Sequence, residues 1–153
     1  MNRFTKGARL GVDVGEARIG VAICDPDGML ATPLVTIHRD RKPDPNGIPR
    51  DMSELARLVE SHGIVEVVVG LPTTLAGAEG AAAAHARAYA RQLAEVIAPV
   101  SVTLTDERMS TIVATRKLSG QGVRGKRRRE VVDQAAAVEI LQGWLDAQRR
   151  RTE

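Results

Sequence analysis

LGVDVGEARIGVAICD, residues 10–25, is the stretch from which the fold is read. Two runs rich in β-branched residues, Leu10 to Val14 and Ile19 to Ile23, flank a short turn at Gly15-Glu16-Ala17. That pattern predicts an antiparallel hairpin of two central strands. Asp13 interrupts the first run. A carboxylate inside an apolar strand is costly unless it is paired, hydrogen-bonded or bound to a metal. Gly11 and Gly15, on either side, leave room for the close approach of a ligand or of backbone. Arg18, across the turn, offers a plain structural partner for Asp13, so this acid alone decides nothing.

Outward from the hairpin, composition narrows the classes. A chain of 153 residues is about one domain, long enough for a substantial core, and its 43% hydrophobic content suits a globular protein. With one Phe, one Tyr and one Trp the core must be aliphatic, and stacking of bases on aromatic rings is a poor basis for any binding. The lone Cys24 excludes an intramolecular disulfide and points to the reducing cytoplasm. No apolar run reaches membrane-spanning length, residues 1–9 lack the apolar segment of a signal peptide, and no membrane partner is expected.

The net charge of +3 is modest but unevenly spread. From Arg116 to Arg129 there are seven basic residues (Arg116, Lys117, Arg124, Lys126, Arg127, Arg128, Arg129) and no acidic one. Arg149-Arg150-Arg151 form a second cluster near the C-terminus. Such runs are often solvated faces; the competing reading is a polyanionic partner, most commonly nucleic acid.

Along the chain, Asp25-Pro26-Asp27-Gly28 has turn chemistry, and Met29 to Ile37 reads as a third strand, an edge because of Pro33. His38 opens a polar loop with prolines at 43, 45 and 49 and reads as a surface residue. Arg50 to His62 is helical by period, with Met52, Leu55, Leu58 and Val59 on one face and Gly63 as its stop. Ile64 to Val69 reads as a strand buried on both faces, leading into the loop Gly70-Leu71-Pro72-Thr73-Thr74-Leu75-Ala76-Gly77. That loop lacks the Lys-Ser/Thr of a P-loop. Ala78 to Ile97 is an Ala-rich helix, and Val100 to Thr105 alternates as a fifth strand. Asp106-Glu107-Arg108-Met109-Ser110-Thr111 follows, with Ser110 or Thr111 placed to cap a helix over Ile112 to Leu118. Ser119 to Gly125, with three glycines, reads as a mobile loop. The last helix spans about Arg128 to Gln148, and positions 133, 136, 137, 140, 141 and 144 share one face. Five of these are Ala136, Ala137, Ile140, Leu141 and Trp144; the sixth is Asp133.

Three acids thus occupy places that should be apolar or strand-terminal: Asp13 on a central strand, Glu107 just past another, and Asp133 on an inward helix face. Either they are unrelated structural acids or they converge. Converging carboxylates repel, and a hard divalent cation such as Mg²⁺ resolves the repulsion by oxygen ligation. Two such ions about 4 Å apart activate water and stabilise the leaving oxygen in phosphodiester hydrolysis. No His/Cys cluster suits zinc.

The order β-β-β-α-β-α-β-α, with a strand Asp first and a helix Asp late, matches the ribonuclease H-like plan. The segments GVDVGEARIGVAICD (11–25), VVVGLP (67–72), TDERMST (105–111) and VDQAAAVEILQGWL (132–145) resemble, in order, those of the bacterial YqgF/RuvX family. Its members are described as candidate Holliday junction resolvases and as pre-16S rRNA nucleases. The resemblance spans nearly the whole chain. It implies an α/β, ribonuclease H-like fold over residues 1–153 as a single nuclease domain. Its five-stranded mixed sheet would have the first three strands antiparallel and helices on both faces.

The same resemblance implies a two-metal site using Mg²⁺ or Mn²⁺, with Asp13, Glu107 and Asp133 as ligands and catalytic groups. Arg18 would lie near substrate phosphates or orient the first acid, and Gly70, Leu71 and Pro72 would line the cleft. Arg108, Ser110 and Thr111 of the TDERMST segment are assigned to substrate contact. So are Arg116, Lys117, Arg124, Lys126 and Arg127 of the basic stretch, which would meet phosphates without reading sequence. Beyond Pro72 many members carry Asn and Asp, whereas this chain has Thr73, Thr74, Leu75 and Ala76, which puts polar contacts from that loop in doubt. Asp106 is a weaker ligand candidate that could instead pair with Arg108.

The reading that results is a cytoplasmic endonuclease hydrolysing phosphodiesters of structured nucleic acid, with 5′-end maturation of precursor 16S rRNA favoured and ribosomal particles as a further partner. The alternative is resolution of four-way DNA junctions, which favours a homodimer because the substrate is two-fold symmetric. A non-catalytic ribosome-assembly or nucleic-acid-binding factor is a third reading. An actin-like or sugar-kinase ATPase also opens on a strand Asp-x-Gly hairpin, but it needs two such domains.

Overall fold

The computed structural model describes residues 5–73, 78–106 and 126–152. The two runs read as a hairpin form β1 (Arg9–Val14) and β2 (Arg18–Cys24), paired antiparallel with Leu10 opposite Ile23 and Asp13 opposite Gly20. β3 (Ala31–His38) adds antiparallel to β2 after a turn in which the Gly28 N–H donates to the Asp25 carbonyl at 2.9 Å. It is an edge strand, where Pro33 with its missing N–H is tolerated. β4 (Glu66–Leu71) pairs parallel with β1, and β5 (Ser101–Asp106) parallel with β4. The order β3-β2-β1-β4-β5 is the expected mixed sheet with its first three strands antiparallel.

Side chains alternate across the sheet and so sort into two cores. Leu10, Val12, Ile19, Val21, Val67 and Val69 face α1 (Arg50–Ser61) and α2 (Ala81–Ile97). Ala22, Cys24 and Val68 face the other way, against Ala136, Ala137, Ile140, Leu141 and Leu145 of α3 (Lys126–Thr152). Small residues let α3 approach closely. A Cβ placed on Gly11 would lie 2.6 Å from Leu141 Cβ, and one on Gly20 only 2.0 Å from the Asp133 carbonyl oxygen. The room that Gly11 opens is therefore filled by helix, not by a ligand. Gly15 serves the turn, its N–H donating to the Arg18 carbonyl at 2.9 Å.

Polar ties pin α3 in register. Thr36 Oγ1 donates to the Glu130 carbonyl at 2.8 Å, and the Gln142 side chain accepts from Ala31 N–H at 2.8 Å while donating to the Met29 carbonyl at 3.1 Å. Arg9, buried on the α3 face, donates to Glu66 Oε1 at 2.8 Å and lies 5.4 Å from the Trp144 ring centroid. A buried guanidinium needs such a partner.

Several boundaries differ from the sequence expectation: β3 starts at Ala31 rather than Met29 and takes in His38, which pairs with Arg18, and β5 is shifted one residue on, to Ser101–Asp106. β4 runs from Glu66 to Leu71 rather than Ile64 to Val69, because the Ile64 N–H closes α1 on the Val59 carbonyl and β1 takes up pairing at Glu66. Gly70 and Leu71 thereby belong to the strand. α2 starts at Ala81 rather than Ala78, since Thr73 and Glu79 form an antiparallel bridge and Gly80 is the extended N-cap. α3 is longer than expected and takes Arg149-Arg150-Arg151 into its last turn, where cations complement the carbonyl end of the helix. Arg149 donates to the Gly28 carbonyl at 2.7 Å and pairs with Asp146, so that part of the C-terminal cluster is structural. The helix expected over Ile112 to Leu118 and the loop over Ser119 to Gly125 lie outside the described residues. No described helix is long and apolar enough to cross a membrane.

Candidate active site

β1, β4 and β5 are parallel, so their carboxyl ends share one edge of the sheet, the usual place for a site in open α/β folds. Register places the residues there. Gly20 pairs with Thr36 on one side and with Asp13 on the other. Val12 pairs with Val69, so the next residues along those strands are Asp13 and Gly70; Gly70 in turn pairs with Thr105. Asp13 and Gly20 face the same side of the sheet, about 5 Å apart as partners in an antiparallel pair. Asp133 lies over Gly20. The strand acid and the helix residue Asp133 therefore lie on the α3 face, and the glycine is what lets the helix backbone at Asp133 pack this close to the sheet.

Asp13 is only 6% exposed. Arg18, two residues before Gly20 and on the same face, donates from Nε to Asp133 Oδ2 at 2.6 Å, with 26% and 19% of the two side chains exposed. The guanidinium thus holds the helix acid. Asp106, the last residue of β5, accepts a hydrogen bond from Thr73 Oγ1 at 2.5 Å. Thr73 therefore does supply a polar contact after the Gly-Leu-Pro segment, tying the end of β4 to the end of β5. Gly70 is buried and Pro72 partly so, at the same edge.

Glu107, Arg108, Ser110, Thr111, Arg116, Lys117 and Arg124 lie outside the described residues, as do the side chains of Lys126 and Arg127. Glu107 follows directly on β5 in the chain. Arg128 and Arg129 are exposed in the first turn of α3, one and a half turns or less before Asp133. His38 is a surface residue, as expected, within 3.2 Å of Glu130 Oε1. Among the described residues no group of three metal-ligating side chains occurs. Asp13 and Asp133 offer carboxylate oxygens, the donors that a hard cation takes.

A buried polar cluster on the opposite face escaped the sequence reading. Asp51, 2% exposed in the first turn of α1, accepts from Tyr89 Oη at 2.6 Å and from the Asp40 N–H at 3.1 Å. Arg39 Nε lies 3.5 Å from Asp51 Oδ2, and its guanidinium carbon is 4.9 Å from the Tyr89 ring centroid. Arg39 also reaches the β1–β2 turn, donating from Nη1 to the Gly15 carbonyl at 2.9 Å and from its N–H to the Ala17 carbonyl at 2.9 Å. Burial, then the hydrogen bond to Asp51, raises the Tyr89 phenol well above its ordinary value. An acid beside Met52 at a helix start reads as a solvated N-terminal charge; only the lone Tyr and an Arg after His38 hinted otherwise. Cys24, whose thiol is pushed up by burial, packs under α3.

A family model described as RuvX, Holliday junction resolvase, matches residues 7–147. A candidate pre-16S rRNA nuclease of Nocardia farcinica is 50% identical over 141 residues, 92% of this chain and 78% of that protein. One so described from Streptomyces avermitilis is 53% identical over 145 residues, 94% and 88% of the two chains. The solved structure of T. thermophilus RuvC in complex with a Holliday junction substrate aligns with a TM-score of 0.50 at 15% identity, over 94% of this chain and 96% of that one. That is a likeness of fold, and it bears out the ribonuclease H-like plan.

Proposed function

This chain belongs to the RuvX Holliday junction resolvase family, and from that premise we propose that it is a divalent-metal-dependent endonuclease maturing the 5′ end of 16S rRNA. The observation that supports the reading is that Asp13 pairs with Gly20, over which the backbone of Asp133 packs, at the carboxyl edge of the parallel strands. The relatives described as candidate pre-16S rRNA nucleases support the choice of RNA.

In this reading Asp13, buried and held by the hairpin, and Asp133, delivered by α3, are metal ligands together with Glu107. Bound Mg²⁺ or Mn²⁺ supplies an activated water and stabilises the leaving oxygen. The chain's own part is placement. The close seat of α3 on Gly20 and Gly11 fixes Asp133 in depth, and Thr73 braces the strand end from which Glu107 follows. Arg18, Arg128 and Arg129 present positive charge to phosphates beside the acids, joined by Arg108, Ser110, Thr111, Arg116, Lys117, Arg124, Lys126 and Arg127. The protein acts as a single domain in the cytoplasm, on ribosomal particles or their precursor RNA.

The test is a cleavage assay of wild type and Asp13→Asn on labelled precursor 16S rRNA fragments and a mobile four-way DNA junction, side by side with Mg²⁺ or Mn²⁺. Cleavage of RNA alone is expected. In the variant it falls by more than the roughly 100-fold that loss of a supporting group around a metal costs, with the fold unchanged. Full activity of Asp13→Asn sinks the site. Paired symmetric nicks in the junction replace the reading with the resolvase and its homodimer, which the description of the matching family favours. Binding without cleavage of either substrate replaces it with a binding factor.

A further inference from the structure

We propose that Arg18 competes with the divalent ion for Asp133, so that this one side chain sets how tightly the site takes its metal. The inference rests on the reading of Asp13 and Asp133 as metal ligands.

Its basis is geometric. Arg18 Nε and Asp133 Oδ2 are 2.6 Å apart, the short contact of a charge-assisted hydrogen bond. Neither partner can drift away easily. Arg18 opens β2 beside the tight turn closed by Gly15, and Asp133 sits on helix backbone pressed against Gly20. The pair offsets the repulsion between two acids that the fold brings to one face. An ion entering that face must take an oxygen that the guanidinium holds. Its apparent affinity is then the intrinsic affinity multiplied by the fraction of molecules in which Arg18 has let go. Removing the guanidinium has two consequences of opposite kind: tighter metal binding, and a less stable metal-free protein. A residue that merely orients Asp133 for the ion would do the reverse, since its loss would leave the ligand loose and weaken binding.

The experiment titrates Mn²⁺ into the full chain without nucleic acid, reading free Mn²⁺ by electron paramagnetic resonance, for wild type, Arg18→Gln, Arg18→Met and Asp13→Asn. Arg18→Gln is expected to bind Mn²⁺ roughly fivefold more tightly, the scale of a partly exposed ion pair. Its thermal unfolding midpoint should fall without metal and recover with saturating Mn²⁺. Unchanged or weaker binding overturns the inference. Should Arg18→Gln fail to fold, Arg18→Met, which keeps the apolar stem and removes the charge, carries the same test: tighter binding supports the competition, equal or weaker binding overturns it. If wild type takes up no Mn²⁺, or Asp13→Asn takes up as much, the metal site itself falls. Binding that depends on Asp13 but not on Arg18 leaves the site standing and removes only the competition.

Discussion

Gly20 lies directly beneath the carbonyl of Asp133: a Cβ at residue 20 would come within 2.0 Å of that oxygen. The neighbour is backbone of a long helix that is also pinned by Thr36 and Gln142, so it cannot give way locally.

Gly20→Ala is therefore expected to lift the first turns of α3 off the sheet and to destabilise the protein by about 3 kcal/mol, at the upper end of overpacking costs. Urea unfolding gives the stability. The same variant should lose cleavage beyond what its folded fraction accounts for, because Asp133 moves with the helix. Wild-type stability would show that α3 does not sit where this contact requires.

The cluster beneath the β1–β2 turn makes a separate demand. Asp51→Ala leaves Arg39 beside Tyr89 without its carboxylate, and breaking one side of a buried ion pair costs about 3 kcal/mol. Tyr89→Phe removes one hydrogen bond to a charged acceptor and should cost about 2 kcal/mol. The double variant is expected to cost less than the sum, since both act through the same carboxylate; additive effects would argue against a shared network.

Tyr89 is the only tyrosine, which makes its ionisation directly visible. Its phenol is raised above the ordinary value of 10.0, first by burial and then by Asp51. A raised pKa stabilises the fold fully below the unfolded-state value, and that stability is lost as pH climbs above it. Tyrosinate absorbance should thus be absent at pH values where a free phenol is half ionised, and should appear only together with loss of the circular dichroism signal. A simple titration near the free value, with the fold intact, would contradict the burial.

Arg128 and Arg129 are exposed at the start of α3, close in sequence to Asp133. If they meet phosphates, replacing both with Ala should weaken RNA binding without changing sequence preference. The slope of log K against log salt should become shallower by about 1 to 2. An unaltered slope would assign these arginines to an ordinary solvated face.

The hairpin, the edge position of β3 and the inward face of α3 were legible because each rests on local periodicity: alternation in strands, and the spacing that put Asp133 among Ala136, Ala137, Ile140 and Leu141. The end of β4 was not, because a strand's limits are set by the partner it pairs with. Nothing within Ile64 to Leu71 says that β1 takes up pairing at Glu66. The same holds for charge. Nothing local around Asp51, at the start of a helix, says that Tyr89 and Arg39 close over it.

From the residues alone came the kind of fold and the two acids that did not suit their surroundings, since an out-of-place carboxylate is visible wherever the apolar pattern around it is regular. The tertiary structure decided which acid Arg18 holds, what fills the space beside Gly11, and that Asp13 and Asp133 share one face. Those outcomes depend on how closely a helix packs on a sheet, and that distance is fixed by glycines on one element meeting backbone of another more than a hundred residues later.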